Sequence, residues 1–289
     1  RFQLNKNKMF PELGRQCGEF MAKTEFCTSE YYLSREQYRG LQKHFENIEL
    51  RKIMEDQMFL DCFGCDIDYS LGKNFADFAD QFSKDSRYRT ELYKLRRKFM
   101  SHADGLIHAD LHTSNIMASR DKMKVIDMEF AFMGPFGYDL GYLVGNLISQ
   151  YCAACFKRFP SEQNRKQFKA YLLATIKSLI ETYMKTFTLC WEKSVKERYR
   201  GQQGLLQSIL QEVMEDVPGY ASMVNWFRSV SEIPYPDFDI IEDKDAKRNA
   251  TVLSLMIDWG IMFGRYKYQS ADDLIETIIG IEEEFRKSL

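Results

Sequence analysis

The sequence predicts a mainly α-helical fold of the α+β class, in which small β-hairpins carry loops of polar residues. Two observations predict it. Along most of the 289 residues, apolar residues recur at three- and four-residue steps, which is the period of an amphipathic helix. Only the region around residues 105–126 contains short apolar runs separated by turn residues, the pattern of paired strands. We therefore expect a helical body with one small β region inside it.

The helices are expected in chain order near residues 10–33, 49–60, 85–103, 136–157, 196–215 and 243–268. A further long helix is predicted by a stripe of apolar residues at helical spacing: Phe168, Tyr171, Leu172, Ile176, Leu179, Tyr183 and Phe187. Ser270 and Asp273 predict a capping box that opens the last helix, and its buried stripe would be Leu274, Ile275, Ile278 and Ile281. Strands are expected at residues 105–107, 115–117 and 124–126, with a turn at 119–122. Residues 134–141 are interpreted as a turn that leads into a helix.

The composition restricts the function classes. An apolar content of 45% and a charged content of 28% exclude a disordered chain. The net charge of −2, with interspersed signs, argues against nucleic-acid binding. The longest apolar run, about nine residues around 140–148, is too short to span a membrane. The N-terminal residues contain no apolar signal-peptide core.

The seven cysteines, an odd number without dense spacing, indicate a reduced, cytoplasmic protein. Two C-x-x-C pairs, Cys62/Cys65 and Cys152/Cys155, have a spacing that zinc sites use. The pairs lie far apart in the sequence, and no His-x-x-x-His pattern accompanies them. Unpaired thiols are therefore the favoured interpretation.

The polar residues of the β region form a motif. Asp110 follows His108 by two residues and precedes Asn115 by five, within the stretch L-I-H-A-D-L-H-T-S-N-I-M. This spacing matches the catalytic loop of kinase-like enzymes, in which the Asp accepts the proton of an attacking hydroxyl and the Asn binds a metal ion. The alternative is that Asp110 is a turn residue and His108 a core histidine. The acidic pair that follows the hairpin favours phosphoryl transfer.

That acidic pair is Asp127 and Glu129. The two residues lie in a stretch predicted to be extended, so both carboxylates are expected to point the same way. Hard oxygen ligands of this kind suit Mg²⁺ that bridges phosphates. Apolar residues on both sides argue against a solvated acidic loop.

Three further residues are candidates for the same site. Asp139 is expected to cap the following helix or to hydrogen-bond the catalytic-loop backbone, and His108 to support that loop. His112 would either contact the substrate or simply pack, and the sequence leaves both readings open.

With these residues in view, the chain resembles the 5-methylthioribose kinase family, a small-molecule branch of the kinase-like fold related to aminoglycoside and choline kinases. The resemblance rests on residues 108–117, 126–132 and 134–148. It extends through residues 22–29, 49–56 and 186–191, and so covers nearly the whole chain. The acidic pair at 127 and 129 is its most family-specific signal.

The resemblance implies a protein-kinase-like C-terminal lobe over residues 1–289, with ATP and Mg²⁺ as cofactors and a sugar as substrate. It implies that Asp110 is the catalytic base. It also implies that Asp127 and Glu129 bind Mg²⁺, while Asn115, where the family has Ser, restores the general kinase metal ligand. The reaction would be phosphorylation of 5-methylthioribose in methionine salvage.

The chain departs from the family pattern at two further places. A paired Arg of the family falls on Phe227 and Arg228, so only Arg228 is left to contact substrate or the transferred phosphate. Ala109 replaces a Gly. No strand–Gly-rich loop–strand pattern precedes residue 106, so we expect a C-terminal lobe without the ATP-grasping β lobe.

Two alternatives remain open. One is another small-molecule kinase of the same fold, acting on an aminoglycoside, choline or a different sugar. The other is a non-catalytic pseudokinase lobe that serves as a binding module. The expected partner is a small sugar molecule, with no nucleic acid and no membrane, and a homodimer is left open.

Overall fold

The structure is a computed structural model that describes residues 1–61, 73–230 and 236–289. Within these residues the helices are α1 (Phe2–Asn5), α2 (Leu13–Cys27), α3 (Arg35–His44), α4 (Ile48–Gln57), α5 (Lys73–Lys84), α6 (Ser86–Ser101), α7 (Tyr138–Phe156), α8 (Glu162–Ser194), α9 (Gln203–Val230), α10 (Pro236–Asp239), α11 (Lys244–Gly264) and α12 (Ala271–Ser288). The strands are β1 (Gly105–Ile107), β2 (Ile116–Ala118), β3 (Met123–Val125) and β4 (Phe132–Gly134). The predicted mainly helical α+β class is confirmed.

Helix α7 is the centre of the body. All residues from Tyr138 to Cys155 are buried, because apolar side chains occur on every side of this helix. Helices α8, α9 and α11 pack around it. Since α7 begins a few residues after β4, its first turn lies where the β region meets the helical body.

The strands form two separate antiparallel pairs. β2 and β3 make the predicted hairpin, with Met117 opposite Lys124. β1 pairs with β4, with Leu106 opposite Met133. The sequence did not predict β4, because three buried apolar residues followed by Gly and Pro give no alternation to recognise. The β1–β4 pair brings the start of the catalytic loop, residues 108–115 between β1 and β2, beside the end of the acidic loop, residues 126–131 between β3 and β4.

The predicted helix at 196–215 is wrong at both ends. Helix α9 begins at Gln203, after a short 3-10 turn, and continues through Pro218 to Val230. A proline inside a helix costs roughly 3 kcal/mol. The residues beyond it, Tyr220, Ala221 and Val224 among them, are fully buried, and their burial offsets that cost. The extension matters because it places Arg228 in the last turn of a helix.

Most other expectations about secondary structure hold. Helices α2, α4, α6, α7 and α11 lie at the predicted positions with shifted ends, whereas α1, α3, α5 and α10 were not predicted. Asp273 closes the predicted capping box by accepting a hydrogen bond from the Ser270 N–H at 2.9 Å.

Cys152 and Cys155 are buried free thiols, and the Cys62/Cys65 pair lies outside the described residues. In the described part of the chain, no helix has both the length and the apolar character needed to cross a bilayer.

Two glycines set the distance between α2 and α8. A Cβ atom at Gly14 would lie 2.5 Å from the carbonyl oxygen of Thr175, and one at Gly18 would lie 2.4 Å from that of Leu179. The two helix backbones therefore pack in direct contact, which any side chain at either position would prevent.

We expect Gly18→Ala to lower the free energy of unfolding by roughly 1–3 kcal/mol, because the added methyl group overpacks the α2–α8 contact. Gly280→Ala is the matched control, since nothing lies within 4 Å of a Cβ atom at this position in α12. There, alanine should stabilise the helix by about 0.5–1 kcal/mol. Urea unfolding measures both, and equal effects would contradict the close-packing argument.

Candidate active site

The catalytic loop between β1 and β2 is held by the first turn of α7. The carboxylate of Asp139 accepts hydrogen bonds from the backbone N–H groups of His108 at 2.6 Å and Ala109 at 2.9 Å. The carboxyl group is buried, and burial raises its pKa. Ala109 has a φ of +67°, a left-handed conformation that costs roughly 1–2 kcal/mol in a residue other than glycine. Of the two contacts expected for Asp139, the structure contains the one to the loop backbone.

His108 joins the catalytic loop to the acidic loop. Its Nε2–H donates to the carbonyl oxygen of Ile126 at 2.9 Å, and its Nδ1 accepts from the backbone N–H of Asp110 at 3.3 Å. This pair of contacts requires the neutral ring with its proton on Nε2. A second link is made by the Ile126 N–H, which donates to the Asn115 carbonyl oxygen at 3.0 Å. The two loops therefore form one hydrogen-bonded unit.

Asp110 projects from this unit with both carboxylate oxygens near other side chains. The Tyr142 hydroxyl donates to Oδ1 at 2.9 Å, and His112 Nε2 lies 3.4 Å from Oδ2. The Asp110 side chain is 18% exposed, so a hydroxyl from outside the protein can still reach it. An ionised carboxylate has lone pairs left for this purpose, as a general base requires.

His112 is a neutral ring at pH 7. Its pKa is lowered to about 4, mainly by burial; Asp110 opposes this shift, and the cations of Arg1 and Arg228 add to it. Its Nδ1 atom is buried and has no hydrogen-bond partner among the described residues. Contact with substrate and simple packing are both compatible with this position, so the role of His112 stays a prediction.

Arg228 belongs to the same group of side chains. Its guanidinium lies close to the hydroxyl of Tyr142, which donates to Asp110. Phe227, at the position of the second arginine expected from the resemblance, is 6% exposed and belongs to the hydrophobic core. At residues 227 and 228, the chain therefore places one guanidinium, that of Arg228, near Asp110, where the resemblance led us to expect two.

The three candidate metal ligands have different surroundings. Asn115 is buried, and its Nδ2 donates to the Asp110 carbonyl oxygen at 3.0 Å. This orientation of the amide leaves Oδ1 without a hydrogen bond to the described residues. Asp127 and Glu129 are exposed.

The prediction of an extended stretch at Asp127 is wrong. Its φ is +65°, so the chain turns there between β3 and β4. An extended strand cannot make this turn, and Asp adopts the left-handed conformation more readily than most residues. Alternation along a strand therefore does not determine where the two carboxylates point.

The donor set fits Mg²⁺ that binds together with phosphates. In the described ranges, no three His, Cys, Asp or Glu side chains lie close enough to hold a metal ion. Mg²⁺ is usually bound through one or two carboxylates, with waters and substrate phosphates completing the shell. Two exposed carboxylates and one amide oxygen meet that requirement.

The sequence did not identify two residues of α7 that shape the site. One is Tyr142, and the other is Asn146, whose Oδ1 accepts from the Thr113 N–H of the catalytic loop at 3.4 Å. With Asp139 they are spaced by three and four residues on a mostly apolar helix. That polar stripe is the signal by which they could have been found, because residues at this spacing share one helix face.

A cavity of about 440 Å³ adjoins the catalytic loop. Thr113 and Ser114 of the loop line one side of it, and apolar residues of α1, α2 and β2 line much of the rest. This volume and this largely apolar wall are typical of small-molecule sites.

A helical lobe with a carboxylate on a rigid loop, and an acidic pair that follows a backbone segment hydrogen-bonded to that loop, defines the class of kinase-like phosphotransferases. Residues 66–179 match the model of a family described as the phosphotransferase enzyme family. The chain is 33% identical to a methylthioribose kinase of Geobacillus thermodenitrificans, over 96% of this chain and 68% of the relative. The chain belongs to the methylthioribose kinase family, which confirms the predicted resemblance.

Two further relatives agree. A methylthioribose kinase of Geobacillus sp. (strain WCH70) is 32% identical over 94% of this chain and 65% of its own length. One from Yersinia enterocolitica is 27% identical over 96% of this chain and 69% of its own length. The chain therefore spans about two thirds of the length of the relatives it matches.

We expect Asp139→Asn to lower the free energy of unfolding by roughly 1–3 kcal/mol. The amide oxygen can accept only one of the two buried N–H donations comfortably, because the amide nitrogen is itself a donor. Asp121→Asn, in the exposed turn of the β2–β3 hairpin, is the control, with an expected change within about 0.5 kcal/mol. If the two variants unfold at the same urea concentration, Asp139 does not hold the loop.

We expect His112 to make the protein less stable as the pH falls from 6.5 towards 4. In this range the unfolded chain binds a proton at His112 that the folded protein does not bind, so acid favours unfolding. The change to test is His112→Asn, which cannot take up that proton. The difference in stability between wild type and variant, measured by urea unfolding from pH 7 to 4, should vary with pH, whereas parallel curves would show that the ring titrates normally.

Proposed function

We propose that this chain supplies the catalytic lobe of an ATP-dependent kinase that phosphorylates a sugar hydroxyl, with the 1-hydroxyl of 5-methylthioribose as the leading substrate. The observation that carries the proposal is the single hydrogen-bonded unit that contains Asp110 and leads directly into Asp127 and Glu129. Membership of a family whose relatives bear the name methylthioribose kinase supports the choice of sugar.

In the proposed reaction, Asp110 accepts the proton of the acceptor hydroxyl as its oxygen attacks the γ-phosphorus of ATP. A bond forms between that oxygen and phosphorus, the bond from phosphorus to the bridging oxygen breaks, and ADP leaves with that oxygen. Phosphoryl transfer needs mainly positioning and charge neutralisation from the protein. The hydrogen bond from Tyr142 at 2.9 Å would fix the orientation of the Asp110 carboxylate.

Asp127, Glu129 and the Oδ1 atom of Asn115 would hold Mg²⁺. When bound, the ion would neutralise charge on the nucleotide phosphates. The exposed position of both carboxylates leaves room for the phosphates to complete its ligand shell.

Arg228 would contact the sugar or the transferred phosphate. A guanidinium presents its donors in a planar fork that suits such oxygens. Because the Arg228 guanidinium lies close to the Tyr142 hydroxyl, it would be near enough to the base to act on the same substrate group. The cavity beside Thr113 and Ser114 offers space for the remainder of a small ligand.

A second candidate is a kinase of the same fold that acts on a different small molecule. The buried Phe227 favours it, because one of the two cations expected to bind the substrate is replaced by an apolar side chain. Turnover on a panel of methylthioribose, other pentoses, choline and an aminoglycoside distinguishes the two. The intact set of Asp110, Asp127 and Glu129 argues against a non-catalytic lobe, and calorimetry with Mg-ATP tests that alternative.

We further propose that residues 1–289 correspond to the C-terminal lobe of the family's enzymes and that the protein works in the cytoplasm. The span of about two thirds of the relatives' length supports the first point. Free thiols among the described cysteines support the second. A homodimer remains a prediction, which light scattering tests.

We expect Asp110→Asn, made in the complete natural protein that contains this chain, to lower kcat by at least about 100-fold, which is the usual contribution of a general base. ADP release coupled to methylthioribose phosphorylation measures it. Asp121→Asn makes the same chemical change on an exposed turn and should leave kcat unchanged. Turnover of the Asp110 variant close to that of the wild type would rule out Asp110 as the base.

A further inference from the structure

Asn47 lies between α3 and α4 in a conformation that few residues adopt. Its φ and ψ are 45° and 47°, in the left-handed region. It is the N-cap residue of α4, where an asparagine normally accepts a hydrogen bond from the first turn of the helix. Its side chain makes no such bond.

The side chain of Asn47 is instead directed to the acidic loop. Its Nδ2 donates to the carbonyl oxygen of Glu129 at 2.8 Å and to that of Ala131 at 3.2 Å. These residues lie 82 and 84 positions further along the chain. One amide group therefore uses both of its protons on two carbonyl groups of the same turn.

These two bonds complete the attachment of the acidic loop. At its start, the backbone of Ile126 is bound by His108 and Asn115 of the catalytic loop. At its end, the Ala131 N–H closes a turn onto the Met128 carbonyl oxygen at 3.1 Å. Among the described residues, Asn47 provides the only side-chain hydrogen bonds to this second end.

We propose that Asn47 is a positioning residue for the acidic loop: it fixes the backbone at Glu129 and so sets how tightly Asp127 and Glu129 bind a divalent cation. Asn suits this task because it tolerates the left-handed conformation and offers two amide protons. Glycine would fit the backbone but donate nothing, and aspartate would have the shape but no protons. The role in cation binding rests on the proposed function, whereas the ordering of the loop does not.

The test uses Asn47→Gly, which keeps the left-handed backbone and removes only the amide. Asn7→Gly is the matched control, because Asn7 has a φ of +62° and lies outside the site. The first measurement is hydrogen exchange of residues 126–132 without metal. Loss of two hydrogen bonds should speed exchange there by about 10-fold or more, with no such change in the control.

The second measurement is the affinity for Mn²⁺ in the presence of ADP, determined by electron paramagnetic resonance on the complete natural protein that contains this chain. We expect Asn47→Gly to weaken Mn²⁺ binding by about 10-fold, a change that corresponds to the net contribution of one hydrogen bond. The KM for the acceptor sugar should stay unchanged, since Asn47 does not contact that part of the site.

Unchanged exchange at residues 126–132 would overturn the proposal, as would faster exchange with unaltered Mn²⁺ affinity. A general fall in stability without a loop-specific change would also overturn it. Asn47→Asp is the second variant should the glycine variant fail to fold, and it must show the same loop-specific effect. If the loop effects appear but the wild type phosphorylates no tested acceptor, the proposed function fails while the ordering role of Asn47 stands.

Discussion

The buried carboxylate of Asp139 accepts hydrogen bonds from two backbone N–H groups at the start of the catalytic loop. One of them belongs to Ala109, whose left-handed conformation is unfavourable without that support. By fixing His108 and Ala109, Asp139 determines where Asp110 projects and where the His108 ring meets Ile126. Because Asp139 lies in the first turn of α7, the partial positive charge at the start of the helix opposes the rise in its pKa that burial causes.

This arrangement depends on α7 being rigid. A helix that is apolar on every side must be enclosed by other helices, and α8, α9 and α11 enclose it. Its polar residues contact different neighbours: Ser149 Oγ donates to Asn225 Oδ1, and Gln150 Nε2 donates to Asp237 Oδ1. Asp139, Tyr142 and Asn146 lie on the face that meets the catalytic loop, and each bonds to a residue of that loop. The packing of the core around α7 therefore also fixes the geometry of the catalytic loop.

Charge is distributed unequally over the site. The candidate metal ligands Asp127 and Glu129 are exposed, whereas His108 and Asp139, which position the catalytic loop, are buried and hydrogen-bonded. Neutral His112 and cationic Arg228 lie near Asp110. Because the carboxylates are exposed and the loop backbone is held by hydrogen bonds, a cation and phosphates from solvent could bind the carboxylates without a change in that backbone.

The sequence by itself determined the chemical groups of the site and the mainly helical class, because both depend on residues close together in the chain. The spacing of Asp110, Asn115, Asp127 and Glu129 is a local property, and so is the apolar periodicity of the helices. Tertiary structure alone decided that Tyr142 bonds Asp110, that α9 passes Pro218 to bring Arg228 to Tyr142, and that Asn47 holds Glu129. It also decided the turn at Asp127, where an extended strand was predicted. The contacts of Tyr142, Arg228 and Asn47 join segments tens of residues apart, and no local propensity encodes such contacts. They form only when burial of α7 and its neighbours fixes every segment at once.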